Sequence, residues 1–339
     1  VAGTVAAVNN NGFGVAGVAG GSGNGDGVRI FSCQIISGGN AAGTSATAAA
    51  VEYAADRGAC VLQNSWGFGA GEIPNDNMFE NGSTGVEWTA FQYFMTKKNH
   101  PNLEGGIIIF AAGNDGKAMA GYPAAYNKLI AVSAIAPDGN PTYYTCYDRG
   151  CNVSAPGGEY FRRNGTSVES GCVASTLPGD KYAFMQGTSM ACPHVSGVAA
   201  LAISRSLQLG KKLTTIELRN ILLGSTHDID RYCTGSKTGV GGAGNAVTVS
   251  LTKYKGKMGV GYIDAFKTLM NVEGIPCLTV RTGQREGKDL SDVLGGNVGT
   301  KTFIDGGISM SQKDRERLGV EGDITISCRL SVIRLARQS

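Results

Sequence analysis

Eleven consecutive residues, Gly187-Thr188-Ser189-Met190-Ala191-Cys192-Pro193-His194-Val195-Ser196-Gly197, combine what a nucleophilic hydroxyl needs. A catalytic serine requires an exposed Oγ, an unobstructed backbone and donors for a developing oxyanion. Gly187 and Thr188 read as a turn, and Ser189 reads as the start of a helix. Its N–H then belongs to the unpaired donors of a helix N-terminus, where negative charge is stabilised. Pro193 is expected in the first helical turn, where no internal N–H bond is required. Ala191, Gly197, Ala199 and Ala200 let such a helix pack closely. Gly-Thr-Ser ahead of a helix is by itself only a cap; the full string carries the inference.

That string resembles the nucleophile signature of the subtilisin-like serine proteases, and further segments resemble other parts of the same family. Ile107-Ile108-Ile109-Phe110-Ala111-Ala112-Gly113-Asn114 is similar to the family strand that ends in the oxyanion-hole asparagine. The resemblance implies that Asn114 donates its amide to the oxyanion beside the Ser189 N–H. A lone Asn after Gly would otherwise be a left-handed turn residue. Asn64-Ser65-Trp66-Gly67 resembles the strand on which an extended substrate pairs through its main chain. Gly67 and Gly113 would leave room for the side chain preceding the cleaved bond, and Gly121-Tyr122-Pro123 resembles the floor of that pocket. A glycine floor implies a roomy, mainly apolar pocket without charge selection; the same glycines also serve as turns.

Val1-Ala2-Gly3-Thr4-Val5-Ala6-Ala7-Val8 resembles the family helix that follows its catalytic histidine motif. The expectation is that the general-base histidine and the aspartate orienting it lie outside the residues given. The chain has three histidines, His100, His194 and His227, and none matches the base. His194 belongs to the serine string and reads as structural. Without a base a serine hydroxyl is a poor nucleophile near neutral pH, so this chain alone is expected to be essentially inactive. The missing strand is also expected to leave an unpaired sheet edge. A complementing segment or a second copy would then complete the site. The rival reading is a non-catalytic pseudoprotease that binds peptides in the same groove.

No cofactor is required for such chemistry. The loop Asn9-Asn10-Asn11-Gly12-Phe13-Gly14-Val15 resembles the family loop that wraps a calcium ion, with Val8, Asn10, Phe13 and Val15 as the nearest matches to its ligands. Carbonyl and amide oxygens suit that hard cation; a plain turn is the alternative. The same stretch fits G-x-G-x-x-G, but it follows a helix and no acidic residue stands about 20 positions later, so a nucleotide site is not expected.

The elements that position these residues alternate. Strands are expected at 28–36, 59–65, 106–112 and 129–134, and helices at 41–57, 87–98, 189–207 and 215–223. This implies an α/β fold, a mostly parallel sheet with helices on both faces. Residues 68–102 hold Pro, Asn and Gly and read as a surface loop leading into a helix. The texture changes near Ile275, which divides the chain into a peptidase domain at 1–274 and a small β-rich accessory module at 275–339. The 339 residues carry a formal charge of +3 from 30 basic and 27 acidic side chains. That balance is too mild to point to nucleic acid, and no apolar run is long enough for a membrane helix. The expected partner is a polypeptide substrate, and the family habit is secretion or the cell surface. Of nine cysteines, Cys33, Cys60 and Cys192 read as buried thiols, and Cys146 and Cys151 can pair in an oxidising compartment.

Overall fold

The computed structural model describes residues 1–163, 166–241 and 243–274. The module expected at 275–339 lies outside the described residues.

The centre is a six-stranded sheet. Its strands are β1 (Val61–Asn64), β2 (Ile107–Ala111), β3 (Ile130–Ile135), β4 (Val153–Pro156), β7 (Thr226–His227) and β8 (Tyr262–Ile263). A hairpin of β5 (Val173–Leu177) and β6 (Lys181–Met185) lies apart from it. The sheet order is β7-β8-β4-β3-β2-β1, and every pairing is parallel except β7 with β8.

The run Ile107-Ile108-Ile109-Phe110-Ala111 shows why both faces are covered. Ile108 and Phe110 point into one apolar core, and Ile107, Ile109 and Ala111 point into the other. Side chains alternate along a strand, so a run apolar at every position must be buried on both sides. Helices α2 (Thr44–Asp56) and α4 (Gly85–Thr96) supply the first core through Val51, Phe91 and Phe94. Helices α5 (Thr188–Gln208), α6 (Thr215–Gly224) and α7 (Ala265–Glu273) supply the second. The short α1 (Ala2–Ala6) packs against α5.

Three expectations change. Residues 28–36 do not form a strand; only Ile36–Ser37 pairs, with Asn40–Ala41. Ile30, Phe31 and Ile36 are about half exposed, at 52%, 48% and 49%. A strand needs a neighbour for its ladder, and β-prone composition alone supplies none. Among the described residues β1, the terminal strand, has no partner on its outer edge.

The 68–102 segment is more ordered than a surface loop. It forms α3 (Asp76–Asn81) and α4, and Phe79 of α3 is fully buried. Cys146 and Cys151 are free, buried thiols, as is Cys192, whereas Cys33 and Cys60 are only partly buried.

Candidate active site

Ser189 is the second residue of α5, after Gly187 as N-cap and Thr188. Gly187 has φ 148°, a positive-φ conformation that favours glycine, at the point where the chain enters the helix. Met190 and Ala191 donate to the Gly187 carbonyl, whereas the Ser189 N–H bonds no acceptor among the described residues. It remains a free donor at a helix N-terminus. The Ser189 hydroxyl rests against the Ser65 carbonyl at 3.4 Å.

Asn114 follows β2 by three residues and reaches the same place. Its Oδ1 accepts from the Thr188 N–H at 2.9 Å and from the Thr188 hydroxyl at 3.0 Å. Those two bonds fix the amide so that Nδ2, which has no partner among the described residues, faces outward. A Cβ built on Gly187 would sit 3.6 Å from the Ser189 nitrogen and 3.7 Å from Asn114 Nδ2. The two free donors therefore flank one small space that glycine leaves open. Such donors are held before any charge develops, which is the arrangement that stabilises a tetrahedral oxyanion.

Two roles within this site were not read from the sequence, although both residues lie in the segments it singled out. Thr188, fully buried, also accepts from the Gly113 N–H at 3.3 Å and so locks the end of β2 to the start of α5. The hydroxyl of Ser65 donates to the Ser189 carbonyl at 3.0 Å. A signal for the second was present. Pro193 stands in the second turn of α5, not the first, so its missing N–H leaves the carbonyl four residues earlier without its helical donor. That carbonyl belongs to Ser189, and Ser65 supplies the replacement.

The residues expected to bind substrate converge. The Phe68 N–H donates to the Tyr122 carbonyl at 2.7 Å, and a Cβ on Gly67 would lie 2.9 Å from that carbonyl. The Gly121 N–H donates to the Ala112 carbonyl at 3.0 Å, and a Cβ on Gly121 would collide with the Phe68 carbonyl. Glycine at 67 and 121 thus permits backbone to meet backbone. Gly113, at φ 109°, faces Cys146 Sγ and the Asp115 carboxylate. Trp66 turns inward: its indole donates to Asn64 Oδ1 at 3.0 Å and sits edge-on to Phe110.

The three histidines are occupied elsewhere. His194 Nδ1 lies 2.8 Å from the Met190 carbonyl one turn back, and burial lowers its pKa. His100 Nδ1 accepts from the Asn102 N–H at 3.2 Å, again with a pKa lowered by burial. His227 pairs with Asp264 through Nε2 and faces Lys267 Nζ at 3.2 Å through Nδ1. None bonds the Ser189 hydroxyl.

The loop after α1 has donors of the right kind for calcium. The carbonyls of Val8, Phe13 and Val15 accept no backbone hydrogen bond. Asn10 sits at φ 56° and gives its Nδ2 to the Ser22 carbonyl at 3.2 Å, which leaves Oδ1 free. Oxygens of this kind are chemically suited to a hard cation. No group of three or more His, Cys, Asp or Glu side chains suited to a metal occurs among the described residues.

Comparison with known proteins identifies the family. Residues 1–255 match the Subtilase family, Peptidase S8. The chain is 31% identical over 216 residues to thermitase of Thermoactinomyces vulgaris, covering 64% of each protein. It is 30% identical over 222 residues to the alkaline elastase YaB of a Bacillus strain, covering 66% of this chain and 47% of that protein. The chain thus spans about half to two thirds of the length of these relatives. A solved protease of Pseudoalteromonas arctica superposes with a TM-score of 0.52 at 27% identity, covering 80% of this chain and 69% of the other. By the match over residues 1–255 this chain belongs to the Subtilase family.

Proposed function

We propose that the chain carries the nucleophile, oxyanion hole and substrate strand of a serine endopeptidase that works through an acyl-enzyme on Ser189. The observation that carries this is the pair of free donors, Ser189 N–H and Asn114 Nδ2, on either side of the space beside Gly187. Ser189 Oγ attacks the peptide carbonyl, the two donors hold the oxyanion, and the acyl group is then released to water. The backbone of 65–67 pairs with the substrate main chain, and Gly113 and Gly121 border the side chain before the cleaved bond. The substrate is a polypeptide and the setting secreted or cell-surface, in keeping with relatives such as an extracellular basic protease of Dichelobacter nodosus.

The proton from Ser189 needs an acceptor. With all three histidines engaged elsewhere, the base and its orienting carboxylate come from a complementing segment, and the chain alone turns over substrate very slowly. Structural calcium binds through Val8, Asn10, Phe13 and Val15. Reaction with a fluorophosphonate, in imidazole as surrogate base, tests the nucleophile by peptide mapping. Modification confined to Ser189 supports it; modification elsewhere, or none, overturns it. The occupied histidines also favour a second reading, a groove that binds peptides without cleaving them. Unmodified Ser189 together with measurable peptide binding would establish that reading instead.

A further inference from the structure

The 68–102 segment holds a device aimed at the pocket floor. Asp76 and Glu80 stand four residues apart on α3 and so share one face. Tyr122 and Tyr126 are also four apart, in a tight turn closed by the Ala125 N–H on the Gly121 carbonyl at 2.9 Å. The two pairs mesh. Tyr122 donates its hydroxyl to Asp76 Oδ1 at 2.6 Å, and Tyr126 donates to Glu80 Oε1. Asn127 Nδ2 gives a further bond to Asp76 Oδ2 at 2.8 Å. Between the pairs Phe79 is fully buried, with its ring 5.4 Å from Tyr122 and 5.6 Å from Tyr126. The guanidinium of Arg149 holds the Pro74 carbonyl just before the helix.

Tyr122 is gripped at both ends. Its phenol is held by α3, and its backbone carbonyl is held by Phe68 at the end of the substrate strand. Gly121, the adjacent residue expected at the floor of the pocket, lies with its backbone against the Phe68 carbonyl. A shift of the phenol therefore moves the carbonyl and the floor with it, because the ring is packed too tightly to move alone.

We propose that α3 is a specificity latch: through Asp76–Tyr122 and Glu80–Tyr126 it fixes the depth of the pocket that receives the side chain before the cleaved bond. The proposal rests on the groove reading above. Tyr122 is a positioning residue, acting through the backbone of Gly121 and Phe68. The substrate class is a polypeptide with an apolar side chain at that position, selected by size. With the latch intact the floor is rigid and side chains of different size are told apart. With it released the floor yields and the distinction narrows.

The test measures binding of fluorescein-labelled peptides to the full chain by anisotropy, with Ala, Leu or Phe before the bond to be cleaved. The parent is expected to show a spread of about tenfold or more across the three, as a rigid apolar pocket does. Tyr122→Phe keeps the ring on Phe79 and removes only the hydroxyl; it is expected to compress the spread to about threefold or less, as is Asp76→Ala. Glu80→Gln keeps an oxygen that accepts from Tyr126, and is expected to retain the parent's spread. An unchanged spread in Tyr122→Phe, or equal weakening of all three peptides, would overturn the latch while leaving the groove reading intact. No binding of any peptide by the parent would overturn the groove reading and the latch with it.

Discussion

The start of α5 and the outer edge of β1 meet at Ser65 and differ in how they are built. At the start of α5 side chains tie the helix to its neighbours. Thr188 is fully buried, its hydroxyl bridges Gly113 and Asn114, and Ser65 fills the acceptor that Pro193 leaves open. At β1 the outer edge has no strand beside it among the described residues, and Ile30, Phe31 and Ile36 of the nearby 28–36 segment stand exposed. The Ser189 side is thus organised by internal packing, while the outer edge of β1 carries no such network among the described residues. Oxyanion donors need only a strand end and a helix start, which are local features. A base must be brought in from another part of a chain and oriented, which is not.

Breaking the organised half should have the largest effect. Ser189→Ala is expected to abolish fluorophosphonate labelling, as read by intact mass. Asn114→Ala is expected to slow labelling in imidazole by about 10²–10³-fold, a magnitude known for the oxyanion-hole asparagine of subtilisin itself and not obtained from this chain. A loss below about threefold would show that Asn114 Nδ2 does not reach the oxyanion.

Helix α4, which packs on one face of the sheet, gives a pH test of the fold on that side. Glu87 on α4 is 2% exposed, its Oε2 has no partner among the described residues, and burial raises its pKa to about 7, opposed by a hydrogen bond from Thr47. The folded chain therefore holds a proton that the unfolded chain releases near 4.5. Between those values the folded state binds more protons, so stability falls as pH rises through the window and levels off above about 7. The loss is about 3 kcal/mol. Glu87→Gln is expected to flatten the profile in urea unfolding at pH 5 to 8, and an identical slope in the variant would contradict the assignment.

Calcium at 100-fold above its dissociation constant is expected to add about 2.7 kcal/mol of stability, with Asn10→Ala removing the gain in thermal melts. Thr188→Val sharpens the picture of the junction. It removes a hydroxyl worth about 1 kcal/mol in orienting Asn114, so labelling in imidazole should slow by about fivefold while Thr188→Ser stays near the parent.

Much of the organised half was legible in the sequence, because its elements are contiguous. The string from Gly187 to Gly197, the apolar run ending at Asn114 and the glycines at 67, 113 and 121 each carry their pattern in a few adjacent residues. What was illegible depends on contacts between distant residues. The Thr188–Asn114 lock spans 74 positions and the Ser65–Ser189 bond spans 124. The strand expected at 28–36 failed for the complementary reason: alternation and β-branched residues set a propensity, whereas a ladder needs a partner. The 68–102 segment misled in the opposite direction, since its Pro, Asn and Gly masked a helix whose Phe79 reaches the core.

The rate of Ser189 labelling as a function of pH, in non-nucleophilic buffer and then with added imidazole, tests the central claim most directly. If the described residues hold nucleophile and oxyanion donors without a base, the logarithm of the rate should rise with hydroxide across pH 5 to 9 without a plateau, and neutral imidazole should accelerate it. A rate that levels off above a midpoint of about 6.5, the signature of an internal histidine base, and that ignores imidazole would contradict it.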